Sequence, residues 1–208
     1  MLEKLIQADQ ELLLFLNGLH FPFFDTLFYA MTSFWFWLPA LAVLLWILWK
    51  HYKKKLILII ASFVVSVTLS DQISVLIKNN VERSRPSHNV EICDRLHLHQ
   101  YENGEVYKGG EYGFVSSHAA NSFGVMVLLL YFFKPIKRRL WWIFPTWAVL
   151  FCYTRIYLGV HYPLDIVCGA LVGVCCGLLV LLLYRISTKA RRRESTKIPP
   201  LKGGRGDV

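Results

Sequence analysis

The chain has 208 residues, 55% of them hydrophobic and 15% aromatic, and a formal net charge of +9. Its apolar residues gather in runs close to the ~20 residues that cross a bilayer, which excludes a soluble domain built round one water-excluded core. The basic excess sits in three short segments beside those runs, a topology signal and not a nucleic-acid-binding surface. Cys152, Cys168, Cys175 and Cys176 fall inside apolar runs and Cys93 lies in a loop, so neither a disulfide framework nor a zinc site is expected.

In residues 1–18, Leu2, Leu5, Ile6, Leu12, Leu13 and Leu16 recur at helical spacing, with Glu3, Gln7, Asp9, Gln10 and Glu11 between them. The pattern predicts an amphipathic helix in the membrane interface. The segment is too short and polar for a secretory signal, and no small-residue cleavage site follows it. Five spans follow, at Leu27–Trp49, Leu56–Ile77, His118–Phe133, Leu140–Leu158 and Leu164–Tyr184. A sixth crossing through the N-terminal segment is the alternative. Between spans two and three, Lys78–Ser117 is rich in Gly, Glu, His and Tyr, which suits a folded extramembrane lid. The expected fold class is an all-α membrane protein: five to six transmembrane helices, an N-terminal amphipathic helix and an extracytoplasmic lid loop. Residues 1–186 form one transmembrane domain and 187–208 a basic, flexible cytoplasmic tail, whose closing Arg-Gly-Asp is given no adhesive role.

The basic residues orient the bundle. Lys50, Lys53, Lys54 and Lys55 lie between spans one and two, and Lys134, Lys137, Arg138 and Arg139 between spans three and four. Arg185, Lys189, Arg191, Arg192, Arg193, Lys197, Lys202 and Arg205 follow span five, making 16 of the 23 basic residues in these segments. With five crossings all three share one side, which the positive-inside rule makes the cytoplasm. The loop Lys78–Ser117 and the turn Gly159–Pro163 then face outward.

Ionisable residues at the outer span ends are costly to place there and mark a functional site. They form three clusters. In the first, Lys78 and Arg85 are seven residues apart and share a face if the helix runs on to Pro86, making a clamp for an anion of more than one charge. A pair of snorkelling interfacial cations is the plainer reading. In the second, Ser116 and Ser117 open span three, where a helix N-terminus offers N–H donors and a favourable dipole to an anion. His118 on the same turn could donate a proton to a leaving oxygen; a Ser N-cap beside an interfacial histidine is the plainer reading. In the third, Arg155 precedes His161 and Asp165, which are four apart, so the carboxylate can fix one imidazole tautomer and leave the other nitrogen as base or nucleophile.

All three clusters lie at outer span ends and can converge on one pocket. Three cations and a row of N–H donors suit a phosphate dianion and the charge that develops during its transfer. Two histidines supply a nucleophile and an acid. No acidic pair suggests a magnesium site, so the cations would take the metal's place.

The clusters resemble the type-2 phosphatidic acid phosphatase superfamily, whose pattern is Lys-x6-Arg-Pro, then Pro-Ser-Gly-His, then Ser-Arg-x5-His-x3-Asp. The superfamily includes undecaprenyl-diphosphate phosphatases, bacterial lipid A phosphatases and the soluble vanadium haloperoxidases, and this chain is most similar to the bacterial membrane lipid phosphatase branch. The first motif is complete as Lys78 to Arg85-Pro86, and the third runs from Arg155 through His161 to Asp165 with Thr154 in the Ser place. Val115-Ser116-Ser117-His118 departs from the middle motif by losing its Pro and Gly. The resemblance implies that His161 attacks phosphorus with Asp165 orienting it, and that His118 protonates the leaving oxygen. It further implies that Lys78, Arg85, Arg155, Ser116 and Ser117 hold the phosphoryl oxygens, with no metal or other cofactor. The implied partners are a phosphorylated membrane lipid and the bilayer, with no nucleic acid. Phosphoryl transfer to an acceptor other than water, and a lipid carrier without enzymatic activity, are the competing readings.

Two further features are expected to be structural. Asp71 lies two turns before Lys78 on the same face of span two. His88, His97 and His99, which share the loop with Glu91 and Asp94, match no metal-site spacing and are expected as solvated lid residues.

Overall fold

A computed structural model describes residues 1–136 and 141–197. Seven α-helices occur among them: α1 Leu2–Asn17, α2 Pro22–Ala30, α3 Phe34–Tyr52, α4 Leu56–Val81, α5 Ser117–Phe133, α6 Ile143–Tyr157 and α7 Pro163–Lys197. Two isolated bridges, Ser84 with Tyr112 and Gln100 with Val106, stiffen the loop between α4 and α5. Phe34–Val81 and Pro163–Ala190 hold helices long and apolar enough to cross a membrane, α1 and α2 form a pair bent by 110°, and α5 is a shorter apolar helix.

Small residues set how closely the helices pack. Ser62, Ser66, Ser70 and Ser74 recur every fourth residue along α4, and all four are buried. They face α5 at Gly124, where an added Cβ would stand 3.0 Å from Ser66 Oγ and 3.1 Å from Ser70 Oγ. From the other side α7 presents Gly169, Gly173 and Gly177. A Cβ on Gly169 would meet Ser116 O at 2.5 Å, one on Gly173 would collide with Ala120 O, and one on Gly177 would meet Gly124 O at 2.8 Å. Lipid supplies no hydrophobic drive between helices, so close backbone approach along small-residue faces is what binds them. Large apolar residues such as Val64 and Leu171 point outward, 58% and 62% exposed.

The helices alternate in direction. At one end Lys78 of α4 donates to Ser117 of α5 at 2.7 Å, and Ser116 N donates to Asp165 O of α7 at 3.0 Å. At the other end Tyr52 Oη donates to Phe132 O, while Phe132 meets Tyr184 and Phe133 meets Phe144 with ring centroids 5.0 Å apart. α3 returns along α6, with Trp37 against Phe151 at 5.5 Å. All three sequence clusters therefore lie at one end of the bundle.

Four expectations need correction. The first span is not continuous from Leu27 to Trp49, because α2 ends at Ala30 and α3 begins at Phe34. Thr32 Oγ1 bonds Tyr29 O at 2.7 Å and Trp37 Nε1 bonds Met31 O at 2.8 Å, so side chains take up carbonyls at the break. α4 does not run on to Arg85: it stops at Val81, Glu82 turns left-handed at φ 50°, and Arg85 lies in extended backbone at φ −66°, ψ 156°. His97 and His99 are not simply solvated, since His97 stacks on His20 at 3.9 Å and bonds Asp25, and His99 stacks on Tyr29 at 4.0 Å. α7 stays helical through Lys197, past the expected start of the tail at 187; the remainder, 198–208, and the basic residues 137–139 lie outside the described residues.

Candidate active site

Gly159 makes the turn that carries His161. It sits at φ +67°, where a Cβ would also stand 2.6 Å from Leu98 Cδ2. Val160, His161 and Tyr162 follow, and Pro163 opens α7 with its preset φ. His161 and Asp165 are buried, 1% and 0% exposed. Asp165 Oδ2 faces His161 Nδ1 at 3.3 Å and accepts from Tyr162 N at 3.0 Å. The opposite nitrogen, His161 Nε2, lies 3.0 Å from Arg85 Nη1. A guanidinium can only donate, so Nε2 accepts and the proton stays on Nδ1 toward Asp165. Burial, and then the charges of Arg85, Lys78 and Arg155, hold the imidazole well below the ordinary histidine range. His161 is thus a neutral imidazole with a lone pair directed at the cations.

Those cations arrive from three elements. Arg85 donates from Nε to Tyr112 O at 3.1 Å and from Nη1 to Val160 O at 3.2 Å, which pins its extended segment against the turn. Lys78 donates to Ser117 Oγ, which lies 2.9 Å from Ser74 Oγ. Arg155 is 2% exposed, donates from Nη1 to Tyr107 Oη at 3.3 Å, and leaves its buried Nε without a partner among the described residues. A buried donor of this kind needs an acceptor, and a phosphoryl oxygen would supply one.

His118, in the first turn of α5, is exposed, with its ring 5.9 Å from Phe151. Ser116 is buried, and its hydroxyl caps α5 by accepting from Ala119 N at 3.4 Å. The plainer reading of that serine, a helix cap, is the one its geometry shows. Ser117, standing in the family's Gly place, spends its hydroxyl on Lys78 and Ser74. Asp71 lies within electrostatic reach of Lys78, and its carbonyl accepts from Ser74 Oγ at 2.9 Å. Thr154, in the family's Ser place, bonds Phe151 O at 2.6 Å and is buried.

Four neighbours of these groups were not singled out as site residues from the sequence. Arg83 bonds Asp165, Asp9 on α1 bonds Arg83, and Tyr107 bonds Arg155. Gly113 is the fourth: a Cβ there would stand 2.9 Å from Asp165 Oδ2 and 3.2 Å from Arg85 Cγ. Only Arg83 carried a signal, as a cation two residues from Arg85 in what proves to be extended backbone.

A neutral imidazole, a second histidine and three cations gather at one end of an apolar helix bundle. Residues 59–189 match the PAP2 superfamily, and the chain belongs to it. It is a phosphoric ester hydrolase of the membrane lipid phosphatase branch. Among its relatives is a lipid A 4'-phosphatase of Bacteroides thetaiotaomicron, 39% identical over 204 residues, covering 96% of this chain and 86% of the relative. A lipid A 4'-phosphatase of Porphyromonas gingivalis is 32% identical over 196 residues, covering 92% and 78%. The crystal structure of a transmembrane PAP2-type phosphatidylglycerolphosphate phosphatase from Bacillus subtilis superposes with a TM-score of 0.63 at 21% identity, covering 86% of each chain, a likeness of fold.

Proposed function

We propose that the chain removes a phosphate monoester, or the terminal phosphate of a diphosphate, from a membrane lipid at the extracytoplasmic face. The lipid A 4'-phosphatases make a phosphorylated lipid A the first substrate to test, ahead of undecaprenyl diphosphate, phosphatidylglycerol phosphate and phosphatidate. The observation that carries the reading is the contact of Arg85 with His161 Nε2 at 3.0 Å. It directs a cation and an unprotonated nitrogen to the same point, where a phosphoryl group would need both.

In the proposed mechanism the substrate's oxygens draw Arg85 away from Nε2 and share it with Lys78 and Arg155. His161 Nε2 then attacks phosphorus, the bond from phosphorus to the lipid oxygen breaks, and His118 gives that oxygen a proton. Asp165 balances the charge gained by the imidazole. Water next attacks the phosphohistidine, returning a proton to His118 and releasing phosphate. Five crossings, α3 to α7, would place this site outside and the three basic segments in the cytoplasm. The transmembrane domain would end near 186, with α7 continuing as a basic cytoplasmic helix to Lys197 and the α4–α5 loop as a lid.

Phosphate release from the four lipids, measured in excess chelator, tests the proposal. We expect turnover of at least one lipid, and loss on the order of 10³-fold or more in His161→Ala. Complete loss on chelation, or undiminished turnover in His161→Ala, would sink the mechanism.

A further inference from the structure

Resting on the reading of His161 as the nucleophile, we propose that Asp9 of α1 and Arg83 form a positioning couple. Together they set the charge and orientation of Asp165, so that the N-terminal helix is part of the catalytic apparatus. Asp9 lies outside the matched residues 59–189.

The couple is a chain of paired charges. Arg83 Nη1 donates to Asp165 Oδ1 at 2.8 Å, while Nη2 donates to Asp9 Oδ2 at 2.7 Å. Asp9 Oδ1 accepts from Leu164 N at 2.9 Å, so one carboxylate holds both the arginine and the first turn of α7. The guanidinium lies over the Tyr162 ring, 4.0 Å from its centroid, and Arg83 O accepts from Gly113 N at 2.8 Å. Asp9 is 4% exposed although it belongs to a helix whose Leu2, Leu5, Leu12 and Phe15 are exposed. A carboxylate buried from so amphipathic a helix is expensive unless its charge is used.

The use follows from the division of Asp165. Its Oδ2 serves His161 and the Tyr162 amide, and its Oδ1 serves Arg83. Among the described residues Arg83 is the side chain that holds Oδ1, and without it the carboxylate could rotate away from the imidazole. With Arg83 alone, a full positive charge would oppose the imidazolium that phosphoryl transfer creates. Asp9 offsets that charge while leaving the geometry fixed. The other charged or titratable groups around His161 are Lys78 on α4, Arg85 on the loop, His118 on α5, Arg155 on α6 and Asp165 on α7. The couple supplies the ion pair on Oδ1 of Asp165, the oxygen that does not face His161.

The test uses full-length protein in detergent, with Asp9→Asn, Arg83→Gln, and the conservative Asp9→Glu and Arg83→Lys. Glu11→Gln, on the exposed Gln7–Glu11 pair of α1, is the control. Two readouts are taken: phosphate release from the lipid that wild type turns over best, and the titration of His161 by histidine-selective ¹⁵N NMR. Asp9→Asn and Arg83→Gln should each lower kcat by about 10- to 100-fold, the size found for partners that orient metal-ligating histidines, with KM changed less. The titration of His161 should move to lower pH in Asp9→Asn and to higher pH in Arg83→Gln, because one removes a negative charge and the other a positive one. Arg83→Lys should recover the titration more than the rate, since an ammonium restores charge without the two-pronged geometry. Shifts in the same direction, or an unmoved titration with wild-type kcat, would overturn the couple. If wild type releases no phosphate from any lipid but the opposite NMR shifts appear, the functional reading fails and the couple stands.

Discussion

At the scale of single residues, the site turns on which nitrogen of His161 is free. Asp165 takes Nδ1 and Arg85 faces Nε2, at 3.3 and 3.0 Å. Because the folded imidazole is held below its ordinary range of about 6.5, protons bind the unfolded chain first as pH falls. This contribution to stability is complete above pH ~6.5 and declines below it. Asp165→Asn, which would no longer anchor the Nδ1 proton through a charge, should lower kcat by on the order of 10²- to 10⁴-fold while leaving Kd for vanadate less affected; parallel kinetics and vanadate titration check this. Ser117→Ala should lower kcat/KM several-fold by releasing Lys78, whereas Ser116→Ala removes a helix cap and should chiefly destabilise, by about 1 kcal/mol. Thermal unfolding set beside kinetics separates the two serines. Lys78, Arg155, His161 and Asp165 were legible as a group because each places an ionisable side chain at a span end. Asp9 was not legible, since its partner Arg83 lies 74 residues away and no local pattern marks the contact.

At the scale of elements, α5 and α7 depend on backbone contact. Gly173 faces Ala120 O with no room for a Cβ, and Gly169 faces Ser116 O at the N-cap of α5. Gly173→Leu should therefore prevent stable insertion or folding, seen as loss of a monodisperse peak on size exclusion, while Leu171→Ala on the exposed side should be tolerated. Gly169 also ties packing to chemistry, because pushing on Ser116 disturbs the turn that carries Ser117 and His118. The helices themselves were legible from apolar runs, most closely α5, expected at His118–Phe133 and found at Ser117–Phe133. The break between α2 and α3 was not, because Leu27–Trp49 carries no charged residue, Thr32 and Ser33 alone are a weak mark, and local side-chain bonds end α2. The departure of Arg85 from α4 was missed for a related reason: Glu82, a non-glycine residue, takes the left-handed turn.

At the scale of the whole molecule, the proposed sidedness makes a prediction of its own. A membrane-impermeant maleimide added to intact cells should label Cys93, which is partly exposed on the α4–α5 loop, and should not label Lys54→Cys between α3 and α4. The reverse pattern would invert the bundle. The alternation of helix directions was legible from the three basic segments, but the folding of the α4–α5 loop onto α1 and α2 was not. That packing rests on ring stacks such as His97 with His20 and on Asn17 Nδ2 donating to His97 O at 2.9 Å, contacts between residues 77 and 80 positions apart.

The resting contact between Arg85 and His161 Nε2 has a consequence for what the enzyme ignores. A bilayer surrounds the site with phosphodiesters, each bearing one negative charge, in vast excess over any monoester. To bare the proposed nucleophile, a ligand must outcompete an imidazole for a partly buried guanidinium while also engaging Lys78 and the Nε of Arg155, which has no partner among the described residues. A terminal phosphate with two charges and three unesterified oxygens is equipped for this, and a diester with one charge and two such oxygens is poorly so. The arginine would then act as a latch that stays shut amid ordinary phospholipids. Selectivity would come from the charge of the phosphate itself, before any sugar, glycerol or prenyl chain is recognised.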